Sequence, residues 1–192
     1  MAKNEPRQLN GERYDYQGLC LATPEMLEEV LRKGTVPDLE KLSGWEFRGY
    51  NTPAFADILG IRKFKKGFYR ENPSGGYGTI QGYNVKIRQN AFGEPWIDVL
   101  KGSDSIKFGW YNVYPVRLTE PDYKYPNAAL INYSCDKNFA LDPTRNLRDY
   151  LVQIYADNPD LYLGKAYVAL GPLRVFVSFF ILERENRSVL SA

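Results

Sequence analysis

The chain has 192 residues, 44% of them hydrophobic and 25% charged, so it has material for a real core in one domain. Its 25 Lys plus Arg nearly balance 23 Asp plus Glu, a net charge of +2 that argues against a dedicated nucleic-acid binder. It contains no histidine, which removes His-based triads, His metal sites and imidazole acid–base chemistry.

Residues 1–22 are polar with little periodicity and read as an N-terminal extension to a single domain over 23–192. A helix is expected to begin at Thr23. The threonine caps it, Pro24 fits its first turn, and Met26, Leu27, Val30 and Leu31 form an apolar stripe. Lys33-Gly34 stops it. A second short helical turn is expected at Pro37–Leu42, and the two helices read as a lid or plug beside a β structure.

From Gly44 onward, runs of Tyr, Phe, Trp, Val and Ile are broken by Gly and Pro, which is strand chemistry. The expected strands number about eight: Trp45–Tyr50, Arg62–Arg70, Thr79–Gln89, Trp96–Leu100, Ile106–Leu118, Ala128–Cys135, Leu161–Leu170 and Leu173–Glu185. Short sequential spacing favours antiparallel neighbours. Asp142–Asn146 followed by Leu147, Tyr150, Leu151, Ile154 and Tyr155 has helical spacing, so one helix is expected at Leu147–Tyr155 before the last two strands. The fold class is therefore mainly β, an antiparallel barrel or strongly bent sheet. The last strand is apolar on both faces over Val175–Leu182, which calls for a cover on each: the expected helix, or a partner subunit in a homodimer.

Leu42-Ser43-Gly44-Trp45-Glu46-Phe47-Arg48-Gly49 resembles the first strand of calycin barrels, the superfamily of lipocalins and fatty-acid-binding proteins. The resemblance covers that strand, the strand count and an Arg in the last strand, Arg184. It implies a barrel closed by the first and last strands, with Arg184 packed against Trp45, and an interior that holds a small molecule.

Fifteen Tyr, ten Phe and three Trp give the interior an aromatic surplus. An eight-stranded barrel can just enclose one small ligand. The expected ligand is apolar or amphipathic, lined by Trp45, Tyr83, Trp110, Tyr133 and Phe179, with Arg48 or Arg88 to anchor a carboxylate. Two further readings stand beside this one. The first is a histidine-independent isomerase or cyclase, for which the deciding feature is a buried carboxylate at the pocket floor. The second is an interaction protein whose barrel is simply filled.

Other features point to little chemistry. Ser74-Gly75-Gly76-Tyr77-Gly78 precedes a strand and reads as a hairpin loop, not a phosphate cradle. Lys63, Lys65 and Lys66 read as charge protecting an exposed strand. Cys20 and Cys135 lack metal-site spacing, and Cys135-Asp136-Lys137 reads as a strand end without an enzymatic role. No cofactor or metal is expected. The N-terminus lacks a signal-peptide run and no stretch is long enough to span a bilayer as a helix, so the expected location is cytoplasmic.

Overall fold

Strand pairing in the computed structural model, which describes residues 5–8, 11–52, 60–70 and 79–190, closes on itself. The strands are β1 (Trp45–Asn51), β2 (Lys63–Tyr69), β3 (Ile80–Lys86), β4 (Leu100–Lys101), β5 (Asp104–Ser105), β6 (Lys107–Pro115), β7 (Ala129–Asn132), β8 (Leu147–Gln153), β9 (Leu161–Leu170) and β10 (Leu173–Arg187). Eight of them form a closed antiparallel barrel in the order β1-β10-β9-β8-β7-β6-β3-β2, and β4 with β5 makes a small hairpin outside it. The first and last strands are hydrogen-bonded neighbours, so no edge is left open.

Side chains alternate between the two sides of the wall. Phe47, Phe68, Tyr111, Val113, Ile131, Leu151, Tyr162, Phe180 and Leu182 form the interior cluster. The barrel fits these rings because glycines face them: a Cβ on Gly82 would collide with the Tyr111 ring, and one on Gly164 with the Phe180 ring. Two bulges in β10, at Glu185 opposite β1 and at Val177 opposite β9, bend the strand that closes the barrel.

Three helices precede the barrel: α1 (Tyr16–Cys20), α2 (Pro24–Lys33) and α3 (Leu39–Leu42). Thr23 caps α2 by accepting from the Met26 N–H, and Gly34 ends it as expected. Leu27 and Leu31 of α2 are fully buried in a second cluster on the outside of the wall, with Leu19 of α1, Tyr150, Val152 and Ile181. The polar N-terminal segment thus supplies Tyr14, Tyr16, Leu19 and Cys20 to this outer core. Leu42 of α3 is fully buried in the interior cluster with Phe47 and Leu182, so α3 plugs the end of the barrel where β1 begins.

Two expected elements are corrected. Leu147–Tyr155 is not a helix: Leu147–Gln153 is β8, paired with β7 and β9. Asp149 and Leu151 face inward while Tyr150 and Val152 lie under the outer helices. A strand covered on both faces shows no two-residue alternation and so imitates helical spacing. The Asp142 cap is real but opens a short 3-10 turn, Pro143–Asn146, with the Thr144 N–H donating to its carboxylate at 2.8 Å. Conversely, Trp96–Leu100 is not a barrel strand. It contributes a single bridge, Asp98 to Ile87, and lays Trp96 on the outside, where its indole N–H donates to the Gly49 carbonyl at 3.1 Å. The Gly-rich loop at 74–78 lies outside the described residues.

Candidate functional site

At the end of the barrel opposite α3, the interior opens into a cavity of about 210 Å³. Its walls are apolar, formed by Phe64, Phe108, Leu147, Ala166, Val177 and Phe180. Its deepest polar side chains are Lys66, Asn84, Tyr133 and Asp149, all buried. Lys66 lies between Phe64 and Phe68 on the inward face of β2, and Asp149 lies between Leu147 and Leu151 on the inward face of β8 across the barrel.

Lys66 Nζ donates to Asn84 Oδ1 at 3.1 Å and to the Tyr133 hydroxyl, and sits 3.4 Å from Asp149 Oδ2. The Tyr133 hydroxyl in turn donates to Asp149 Oδ2 at 3.1 Å. Four rings surround the ammonium: Tyr111 at 4.9 Å, Tyr133 at 5.1 Å, Phe180 at 5.2 Å and Phe64 at 5.5 Å from their centroids. Asp149 Oδ1 is buried and has no hydrogen-bond partner.

Burial sets the electrostatics. It drives Lys66 below the usual lysine range despite Asp149, and drives the Asp149 carboxyl above the usual range despite Lys66. At 3.4 Å the Coulomb attraction is about 5 kcal/mol at an effective dielectric of 20. Desolvation costs several kcal/mol for each ion, and well-packed apolar residues in such a place are usually as stable or more so. Fold stability therefore gives no reason to keep this pair, whereas exceptions of this kind are expected at functional sites.

Of the seven residues expected to contact a ligand, Tyr133 lies on this cavity. Tyr83 and Trp110 face outward, their rings 5.5 Å apart, and Tyr83 donates to Glu46 at 2.7 Å. Trp110 lines a separate outer hollow with Tyr69, Cys135 and Lys137. Phe179 also faces outward, 5.4 Å from Phe176, beside a shallow groove at α2. Trp45 sits at the plugged end. Arg48 is ion-paired with Glu183 and lies over Tyr16 and Trp96 on the outer wall. Arg88 is exposed beyond the end of β3. Choosing the wrong parity of a strand moves a side chain to the other face, which accounts for Tyr83, Trp110 and Phe179.

The basic cluster on β2 is corrected too. Lys63, Lys65 and Lys66 are 2%, 7% and 3% exposed, so they do not protect an exposed strand. Lys63 Nζ donates to Asn90 Oδ1 and to the Ala91 and Glu94 carbonyls at 2.6–2.8 Å. Lys65 is paired with Asp98 at 3.0 Å and Glu185 at 3.2 Å. Sequence reasoning missed Lys66 by treating the three as one patch; the available signal was a single Lys alternating with Phe64 and Phe68.

Both cysteines are free thiols, and burial pushes Cys20 up to about 12, which makes it inert. Among the described residues no three His, Cys, Asp or Glu side chains gather to hold a metal ion, and no helix is long and apolar enough to cross a membrane. Neither the protein-family models nor the curated proteins compared contain a match to this chain.

Proposed function

We propose that the barrel interior binds a small, mainly apolar molecule that carries one polar group. The observation that supports this most is the cavity itself: apolar walls leading to a buried, charged floor. Such an arrangement rewards a ligand for burying hydrocarbon and fixes its orientation by one polar contact. The proposed contacts are Phe64, Phe180 and Tyr133, with Lys66 and Asp149 at the polar end. A panel of medium-chain alcohols, aldehydes, acids and aromatic compounds should include members that raise the unfolding temperature, increasingly with concentration. A panel without effect at saturating concentration would overturn the reading.

Kinship with the calycins belongs to the same proposal. It is supported by closure between β1 and β10 and by Arg184 stacked on Trp45 at 4.4 Å. A homodimer is likewise proposed, supported by Leu170, Leu173, Val175 and Phe176, which are exposed at the β9–β10 end. Light scattering across a dilution series tests it, and a monomer at every concentration would refute it.

One observation favours a second reading, a proton-transfer enzyme: the buried carboxylate of Asp149 stands where an isomerase or cyclase needs its base. Exchange of solvent deuterium into the α-carbon of a bound ketone, abolished in Asp149→Asn, would support it. No exchange above the buffer rate would exclude it.

A further inference from the structure

Building on the cavity reading above, we infer that Lys66 is a carbonyl-capturing amine, and that the molecule entering the barrel is a mainly apolar aldehyde that condenses with Lys66 Nζ to an imine.

The other polar side chains of the cavity already have their donors engaged. Asn51 Nδ2 donates to the Ile61 carbonyl, Gln89 Nε2 to the Lys63 carbonyl and Ser178 Oγ to Asn51 Oδ1. Two other lysines reach the cavity, Lys63 and Lys86. Lys63 donates to three amide oxygens, which hold an ammonium in place and cannot take its proton. Lys86 is exposed, away from the buried polar end of the cavity. Lys66 differs in its partners: a carboxylate at 3.4 Å and a phenol in contact, both able to accept and return a proton.

The step balances with these groups alone. Lys66 passes a proton to Asp149, and the freed Nζ lone pair adds to the carbonyl carbon. The C–N bond forms as the carbonyl π pair moves to oxygen, which takes a proton from nitrogen by way of Tyr133. The resulting carbinolamine has a hydroxyl, the donor that buried Asp149 Oδ1 lacks. Asp149 then returns its proton to that hydroxyl, water leaves, and the nitrogen lone pair closes the C=N bond. The iminium replaces the ammonium as the cation facing the Asp149 carboxylate, so the charge of the site is unchanged. The surrounding rings of Phe64, Tyr111, Tyr133 and Phe180 stabilise a cation in either form.

The test is reductive trapping on the native chain. Protein incubated with octanal and cyanoborohydride is digested and each lysine mapped by mass. Holding the aldehyde against the amine should favour adduct at Lys66 over any exposed lysine by about tenfold or more. Adduct on exposed lysines and the N-terminal amine with Lys66 unmodified overturns the proposal. Octan-1-ol, of the same length without a carbonyl, separates the two levels. Stabilisation by the alcohol with no adduct at Lys66 defeats the imine and leaves the binding reading standing, whereas absence of both defeats both. Asp149→Asn should slow the adduct at Lys66 relative to the adducts on exposed lysines of the same protein, and an unchanged ratio would remove Asp149 from the step. The wild-type map decides the proposal even where that variant fails to fold.

Discussion

Arg184 lies over the indole of Trp45 at 4.4 Å, although 138 positions separate them in the chain, and Arg187 lies on the same ring at 3.8 Å. Arg184 also donates to the Lys41 and Pro159 carbonyls and pairs with Asp160 at 2.6 Å. One side chain therefore joins the end of α3, the start of β9 and both strands that close the barrel.

Trp45→Ala should cost about 3 kcal/mol, at the low end for a large ring because Trp45 is only partly buried. Arg184→Ala should cost less, and the pair should couple by about 0.5–2 kcal/mol in a double-mutant cycle read by urea unfolding. Arg184→Lys should recover little, since a compact ammonium cannot stack on the indole face as the planar guanidinium does. Additive losses would show that the contact carries no energy of its own.

The interior pair invites a different cycle. Asp149→Ala leaves Lys66 charged among four rings and should cost about 3–5 kcal/mol. Replacing both partners, Lys66→Met with Asp149→Leu, should give a fold as stable as the wild type or up to about 4 kcal/mol more so. Denaturant curves decide. A double variant as weak as the single one would show that the ion pair is structural and would remove the argument that function retains it.

Gly164 of β9 pairs with Phe180 of β10, whose ring lies over it on the inner face, and a methyl group there has no space. Gly164→Ala should cost about 1–3 kcal/mol by overpacking, with part recovered by adding Phe180→Leu. Equal losses in the single and double variants would mean that backbone freedom, not ring clearance, selects glycine at this position.

Glu28 on α2 carries a pH-dependent part of the docking between helix and barrel. Burial pushes its carboxyl upward, but hydrogen bonds from Lys165 at 2.7 Å and Tyr125 at 3.0 Å, with charge from Lys165 and Arg32, outweigh this and hold it below the usual range. A carboxylate depressed in the fold stabilises it above the unfolded-state pKa, and that stability is lost as pH falls through the folded-state value. Wild type should therefore unfold at a higher temperature than Glu28→Gln at neutral pH, and the gap should close below about pH 4. A gap that persists in acid would mean that the charge is not responsible.

Much of the barrel is legible in the sequence, because most of its strands are flanked by Gly and Pro turns and the closing contact has a recognisable Trp and Arg. β8 is the exception. With Leu151 inside and Tyr150 and Val152 under α2, it has no polar face to reveal its period. The site was hidden by two consequences of the same fact. Asp149 falls within the misread strand, and Lys66 falls in a lysine cluster whose members turn to opposite sides of the wall. Facing direction depends on register, and register is shifted by the two bulges in β10, which have no signature in the residues themselves.

The most direct test of the central claim is a crystal structure of the protein grown with octan-1-ol, read for density inside the barrel. One chain of density is expected between Phe64, Val177 and Phe180, with its hydroxyl directed to the end of the cavity formed by Lys66, Tyr133 and Asp149. An interior without alcohol, or alcohol bound only in the outer hollow at Trp110 or the groove at Phe179, would contradict it.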